Sequence, residues 1–322
     1  MTDFRSILVP LDGSALAEQA IPTAVAIAER AESKLKLLLV HEPPPLLDAG
    51  STYTELELAM EKADRDYLHS VAGRLRERLG SALSSAVVKG PVTRTLARYA
   101  RELGTDLIVM TTHGRGGIRR AWLGSVADEL IRTSEAPVLI VRPSDSDAPH
   151  TFVPPAELMV PLDGSPLAEA VLEPVTALAR LWDAEISLIQ VVRPVILTSD
   201  PPLPFPTGYS DEETRMRREQ AQDYVRDIAE HLRESGVKAS GVAVIGGSVA
   251  HTLLDLARPE RVSIVALATH GMGGLRRLVL GSVADKLVRG AEVPVLVVSP
   301  TGSRARHKAE ESDVPIAARD PA

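Results

Sequence analysis

Apolar runs alternate with amphipathic segments along the first half of the chain. Strands are predicted at residues 7–11, 35–40, 82–88, 106–110 and 138–141. The run at 35–40 is apolar apart from Lys36, which suits a parallel sheet covered on both faces. Apolar positions at helical spacing predict helices at 15–27, 54–79, 92–103 and from 125 onward. This alternation predicts parallel strands joined by right-handed crossovers.

The same pattern starts again in the second half. Residues 160–165 repeat residues 9–14 letter for letter, and 13 of 17 positions agree between 112–128 and 269–285. The first repeat lies 151 residues on and the second 157, so the extra residues are expected in the Pro-rich loop at 193–208. A period this long indicates domain duplication rather than a solenoid. We therefore predict a first domain at 1–143, a polar linker at 144–155, a second domain at 156–300 and a disordered tail at 301–322.

Two loops in each half have the chemistry of a ligand site. Asp12 opens an Asp-Gly-Ser loop after the first strand, and a Gly-rich loop follows the fourth strand and leads into a helix that we expect Ser125 to cap. Glycines and a helix start together favour phosphate binding. Since ligands of open α/β sheets bind where the strand order reverses, both loops serve one ligand if the order is 3-2-1-4-5. Asp12 and Val40 would then hold a nucleoside, and the Gly loop and Ser125 its phosphates.

Plainer interpretations of these residues stay open. Asp12 and Asp163 could be helix N-caps, and His113 and His270 suit loop structure better than catalysis. The arginine pairs that follow in each Gly loop suit a solvated face slightly better than phosphate steering. The loop matches neither a Walker motif nor Gly-x-Gly-x-x-Gly.

Composition narrows the possible functions. The chain has no cysteine, which excludes disulfides and thiolate chemistry, and its net charge of -7 argues against non-specific nucleic-acid binding. Aromatic residues are only 3%, so the cores are expected to be aliphatic. We find no apolar run near the ~18 residues of a membrane span and no signal peptide, and we expect a cytoplasmic protein without membrane or nucleic-acid partners.

These motifs resemble the universal stress protein family in its tandem form. The family motif Gly-x2-Gly-x9-Gly-Ser/Thr matches at Gly114 with Gly124-Ser125 and at Gly271 with Gly281-Ser282, while Thr111 and Ala268 stand at its first glycine. The resemblance implies an α/β fold: two flavodoxin-like (adenine nucleotide alpha hydrolase-like) three-layer domains, each with a five-stranded parallel sheet of order 3-2-1-4-5. It also implies ATP with Mg²⁺ as the ligand.

The resemblance extends to particular residues and to assembly. In the first half it implies nucleotide contacts from Pro10, Asp12, Val40, Met110, Gly114, Arg115, Gly124, Ser125 and Val126. In the second half it implies contacts from Pro161, Asp163, Val191, Leu267, Gly271, Met272, Gly281, Ser282 and Val283. It further implies pairing through the fifth strands, here between the two halves of one chain, and a possible homodimer.

The sequence leaves three functions to weigh. The first is an ATP-binding stress-response or signalling protein with little or no turnover, at most a weak ATPase. The alternative is a nucleotide-free dimerisation or interaction module, and a weaker third is an enzyme of nucleotidyl chemistry. We assign no catalytic residue and no metal-ligating residue of the protein.

Overall fold

The computed structural model describes residues 4–43, 50–112, 123–143, 151–198, 206–269 and 280–299. The first half contributes strands β1 (Ser6–Leu11), β2 (Lys34–His41), β3 (Leu83–Lys89), β4 (Leu107–Thr111) and β5 (Val138–Val141). The second contributes β6 (Glu157–Pro161), β7 (Glu185–Val192), β8 (Val195–Thr198), β9 (Pro206–Ser210), β10 (Ala239–Ile245), β11 (Ile264–Ala268) and β12 (Val295–Val298). The alternation of strands and helices expected from the sequence is therefore present in both halves.

Ten of these strands form one sheet in the order β10-β7-β6-β11-β12-β5-β4-β1-β2-β3. In this sheet every strand pair within a half is parallel, and the halves share the order third-second-first-fourth-fifth. The strand order reverses between β1 and β4, and between β6 and β11. The carboxyl ends at these two points are where an α/β sheet binds its ligands.

The two halves meet at an antiparallel pair of strands. In this pair, Leu296 of β12 lies opposite Leu139 of β5, and both side chains are fully buried. Because the pair is antiparallel, the two reversal points open at opposite ends of the joined sheet. Arg142 strengthens the junction by donating to the carbonyl of Val288, and its burial lowers its pKa to about 10.

Helices cover both faces of the sheet. The described helices are α1 (Ala15–Glu18), α2 (Ile21–Arg30), α3 (Gly50–Leu79), α4 (Val92–Glu102), α5 (Ser125–Thr133), α6 (Leu172–Trp182), α7 (Asp211–Glu234), α8 (Val249–Leu256) and α9 (Ser282–Gly290). One aliphatic core lies under α2, α3, α6 and α7, and the other under α4, α5, α8 and α9. Each core runs through both halves, so the chain buries its apolar surface as one body.

Two local predictions were wrong. The single helix expected after Ser14 is split into α1 and α2, since Pro22 has no N–H to bond the carbonyl of Glu18. The Pro-rich segment expected as a loop instead contains an antiparallel hairpin of β8 and β9. The amide of Val195 donates to Oγ1 of Thr214 at 2.9 Å, which fastens the hairpin to the first turn of α7.

The free edge of β10 is covered by α7. Nε2 of Gln222 donates to the carbonyl of Gly241 at 2.8 Å, and its Oε1 accepts from the amide of Ala243 at 2.9 Å. The side-chain amide thus takes the place of a further strand and shields the edge from pairing with another chain. A Cβ on Gly241 would lie 2.5 Å from the carbonyl oxygen of Val225, so only glycine lets α7 come this close.

Some predictions lie outside the described residues. They include most of the predicted linker and the tail at 301–322. The described part of the chain contains no helix that is long and apolar enough to cross a membrane.

Candidate functional site

Asp12 holds the loop that follows β1. Its Oδ1 accepts hydrogen bonds from the amide of Ser14 at 3.0 Å and from the hydroxyl of Ser14 at 2.7 Å. The Ser14 oxygen in turn accepts from the amide of Ala17 at 3.1 Å and so caps α1. Gly13 has φ 84°, which favours glycine at the tip of the turn. Ser14 is therefore the N-cap, and Asp12 orients it.

The second half repeats this turn almost atom for atom. Oδ1 of Asp163 accepts from the amide of Ser165 at 3.0 Å and from its hydroxyl at 2.6 Å. The amide of Ala168 lies 3.2 Å from the Ser165 oxygen, and Gly164 has φ 83°. Identical letters therefore build identical turns at the two reversal points.

The start of α5 differs from the expected serine cap. Gly124 is the N-cap, its amide donates to the carbonyl of Thr112 at 2.8 Å, and Ser125 is the first helical residue. A Cβ on Gly124 would lie 2.9 Å from that carbonyl oxygen, while its φ of -61° suits any residue. This glycine is thus required by close approach. Its amide is used within the protein, so the helix offers an anion the amides of Ser125, Val126 and Ala127, which precede the first intrahelical bond from Asp128 to the carbonyl of Gly124.

The start of α9 is built the same way. The amide of Gly281 donates to the carbonyl of Thr269 at 2.9 Å, and a Cβ on Gly281 would lie 3.2 Å from that oxygen. Thr111 and Ala268, at the first glycine of the family motif, are buried final residues of β4 and β11. Extended backbone accepts any side chain, so these two departures cost no backbone strain.

A cleft of about 650 Å³ opens at the reversal point of the first half. Three of the expected contact residues, Asp12, Val40 and Val126, line it together. The other lining residues are Leu11, Leu39, His41, Glu42, Pro43, Met60, Asp64, Val92 and Leu96. The structure thus brings the ends of β1 and β2 and the start of α5 around one space, with apolar walls and several carboxylates.

The remaining expected contacts fall into three groups. Pro10 and Met110 are buried in the strands beneath the cleft, and Gly124 and Ser125 precede Val126 at the start of α5. In the second half the expected residues on the corresponding elements are Pro161, Asp163, Val191, Leu267, Gly281, Ser282 and Val283. Gly114, Arg115, Gly271 and Met272 lie outside the described residues.

The sequence analysis missed a buried pair in the wall of the first cleft. Nδ1 of His41, at the end of β2, lies 2.7 Å from Oδ2 of Asp64 on α3. The side chain of His41 is only 2% exposed, and its Nε2 is buried with no hydrogen-bond partner. A polar residue that ends an apolar strand was the available signal, but the sequence does not show that α3 brings Asp64 to it.

A tyrosine behind each Asp-Gly-Ser turn was also missed. The hydroxyl of Tyr224 donates to Oε1 of Glu169 at 2.9 Å, whereas the buried hydroxyl of Tyr67 lies near Glu18 without a hydrogen bond of ordinary geometry. Burial raises the pKa of Tyr67, and the carboxylates of Glu18 and Asp12 add to this. Burial, Glu169 and Asp163 raise the pKa of Tyr224 in the same way. The two tyrosines lie 157 residues apart, which is the period of the Gly loops and could have revealed them.

Comparison with known proteins identifies the class of protein that this duplicated fold represents. The family model described as "Universal stress protein family" matches residues 3–142 and again residues 157–299. The chain belongs to the universal stress protein family, with one family unit in each half.

Individual relatives agree with this over nearly the whole chain. A universal stress protein of Mycolicibacterium smegmatis is 27% identical, over 91% of this chain and 97% of its own. Universal stress protein Rv1996 of Mycobacterium tuberculosis is 25% identical, over 90% of this chain and 94% of its own. The crystal structure of a universal stress protein from Archaeoglobus fulgidus superposes with a TM-score of 0.63 and 18% identity, covering 93% of this chain and 98% of that one, which supports the fold.

Proposed function

We propose that the protein binds ATP with Mg²⁺ in the first cleft and an adenine nucleotide at the corresponding place in the second half. The observation that carries this proposal is the meeting of Asp12, Val40 and Val126 around one cleft at the strand reversal. A flat ring fits against the apolar side chains of the cleft, and Asp12 offers an acceptor to sugar hydroxyls. The phosphates would extend to the first turn of α5, where backbone amides and the helix dipole favour negative charge.

The phosphate end carries its own balance of charge. Asp128 in the first turn of α5 lies 2.8 Å from Arg132, so this carboxylate is neutralised locally rather than left to repel the phosphates. Within the described residues, no group of three or more acidic, His or Cys side chains could hold a metal ion. Mg²⁺ would therefore arrive with the nucleotide, bound mainly by phosphate oxygens and water.

We further propose a role in stress response or signalling, with little or no ATP turnover, in the cytoplasm. On this proposal the nucleotide acts as a bound ligand and not as a substrate. A partner would then sense the occupied cleft through its rim.

Calorimetry tests the binding. With protein at about 100 µM, a ligand of micromolar Kd gives a clear titration. We expect clear heat with ATP and Mg²⁺ for the wild type and weaker binding, by about tenfold or more at the first site, for the double variant Gly124→Val/Gly281→Val, whose added side chains press on the Thr112 and Thr269 carbonyls. No heat from the wild type would refute nucleotide binding, and phosphate release faster than a few turnovers per minute would refute the signalling role without turnover.

The second candidate, a nucleotide-free interaction module, is constrained by the junction of the halves. Because β5 and β12 pair with each other, a homodimer would have to use another surface. Purified protein without nucleotide, whose melting temperature is unchanged by ATP, ADP or AMP, would favour this candidate.

A further inference from the structure

Each half has a buried acceptor without a partner on its second strand. In the first half it is Nε2 of His41 on β2, and in the second it is Oε1 of Gln190 on β7. Both side chains point to the same face of the sheet, but Gln190 corresponds to Leu39, two residues before His41. Unmade hydrogen bonds of buried groups reduce stability, so the unpaired Nε2 of His41, which lines the first cleft, points to a ligand group that completes it.

The bond to Asp64 determines what His41 can offer. A carboxylate 2.7 Å from Nδ1 places the proton of a neutral imidazole on Nδ1, so Nε2 is an acceptor. The ligand group that completes it must therefore be a donor. Since His41 lines the cleft among Leu39, Val40 and Met60, the donor belongs to the ring end of the ligand.

Charge supports the same placement. Asp12, Glu42 and Asp64 are among the residues that line the cleft, and its described lining contains neither lysine nor arginine. Three carboxylates repel phosphates, which are better served by the start of α5. They attract donor groups instead, and the exocyclic amino group of a 6-aminopurine is such a donor.

The second half has a different wall at the same place. His41 corresponds to Val192, because each accepts a hydrogen bond at its carbonyl from the glycine that follows the third strand of its half. The amide of Gly90 donates to His41 at 3.1 Å, and that of Gly246 donates to Val192 at 3.0 Å. Asp64 corresponds to Ala221, three residues before the tyrosine of its helix. Val192 and Ala221 pack with Ala243 in a small apolar cluster. The histidine–carboxylate pair has therefore been replaced by aliphatic packing.

We propose that His41, held by Asp64, makes the first cleft selective for a 6-amino purine ring by accepting a hydrogen bond from the amino group, and that the second half lacks this selection. The inference rests on the proposed function. It names the residue pair that gives the two sites different specificities.

The test compares ATP with ITP, which carries an oxygen in place of the amino group. In a Gly281→Val background, which weakens the second site so that calorimetric stoichiometry separates it from the first, we expect ATP to bind the first site about tenfold more tightly than ITP, equal to about 1.4 kcal/mol. The variant His41→Val/Asp64→Ala in the same background has the second half's residues and should bind both nucleotides within about twofold. Equal affinities in the background protein, or discrimination that survives in the variant, would overturn the inference.

A spectroscopic measurement on the wild type keeps the test independent of how the variant folds. With ¹⁵N-labelled histidine, we expect the Nε2 signal of His41 to move on addition of ATP and to stay in place with ITP. An unchanged Nε2 signal at saturating ATP overturns the role of His41. If neither nucleotide binds the wild type at all, the proposed function fails first and the inference fails with it.

Discussion

The two halves share their loops and differ in one wall of the site. The turns of Asp12 and Asp163 have the same hydrogen bonds, and Gly124 and Gly281 both donate to a threonine carbonyl. The wall beside them carries His41 and Asp64 in one half and the Val192 cluster in the other. Turn and helix-start geometry thus survived duplication, while the side-chain chemistry of the wall diverged.

The rim of the site differs as well. Lys89 at the end of β3 lies 2.7 Å from Glu61 on α3. The hydrogen bond between these two side chains raises the pKa of Lys89 and lowers that of Glu61. The corresponding end of β10 carries Ile245, which is 49% exposed. The hairpin of β8 and β9 adds exposed Ile196 and Tyr209 to the second half. The two halves therefore differ at this strand end, which carries a paired lysine in the first half and an exposed isoleucine in the second.

The largest expected effect concerns the packing of α7 on β10. Ser85 occupies in β3 the register position of Gly241 in β10, opposite Leu37 and Leu188 respectively. We expect Gly241→Ser to cost about 3 kcal/mol, because its Cβ would lie 2.5 Å from the Val225 carbonyl oxygen. Urea unfolding would measure this. The matched variant Ser85→Gly should cost only about 0.5–1 kcal/mol, and equal costs would show that the two helix contacts are equivalent.

Next in size is the effect of valine at the two helix starts. A Cβ at Gly124 meets a carbonyl oxygen at 2.9 Å and one at Gly281 at 3.2 Å. Overpacking of about 1–3 kcal/mol should weaken ATP binding at the first site by about tenfold or more in Gly124→Val. The loss at the second site in Gly281→Val should be smaller. Calorimetric stoichiometry separates the sites, and an unchanged first-site affinity in Gly124→Val would place the ligand elsewhere.

A double-mutant cycle tests the buried pair. Asp64→Ala alone leaves His41 with no partner at either ring nitrogen and should cost about 1–3 kcal/mol of unfolding free energy. His41→Val/Asp64→Ala removes both polar groups and should cost less than Asp64→Ala. If the loss of unfolding free energy in the double variant equals the sum of the losses in His41→Val and Asp64→Ala, the two residues do not stabilise the protein as a pair.

The smallest difference is expected at the tyrosines. Tyr224→Phe loses a hydrogen bond to a carboxylate and should cost about 1.5 kcal/mol, whereas Tyr67→Phe removes a hydroxyl whose contact with Glu18 falls outside ordinary hydrogen-bond geometry and should cost less. Both pKa values are raised above 10.0 in the folded protein, so only the unfolded chain loses these protons just above that pH. The free energy of unfolding therefore falls as the pH rises above 10.0, and in each phenylalanine variant it should fall less steeply than in the wild type. Urea unfolding at neutral and alkaline pH measures both effects, and equal costs at neutral pH would contradict the difference between the halves.

Much of the fold could be predicted from the sequence because its signals are local. Apolar runs located the five strands of the first half, their repeat predicted the same pattern in the second, and the Asp-Gly-Ser repeats located both turns. Local rules failed where two signals competed. The stripe of apolar residues from Leu16 to Ile27 outweighed Pro22 in the prediction, and prolines at 193–208 concealed the hairpin. At the site, the serine at 125 suggested a cap, but the space beside Thr112 admits only Gly124 there.

The sequence by itself determined the duplication and the position of the ligand loops, because periodicity and turn chemistry act between neighbouring residues. Only the tertiary structure decided that His41 meets Asp64 and that Gly124 uses its own amide. Such contacts join residues far apart in the chain. They depend on how the helices pack on the sheet, which no local pattern of residues specifies.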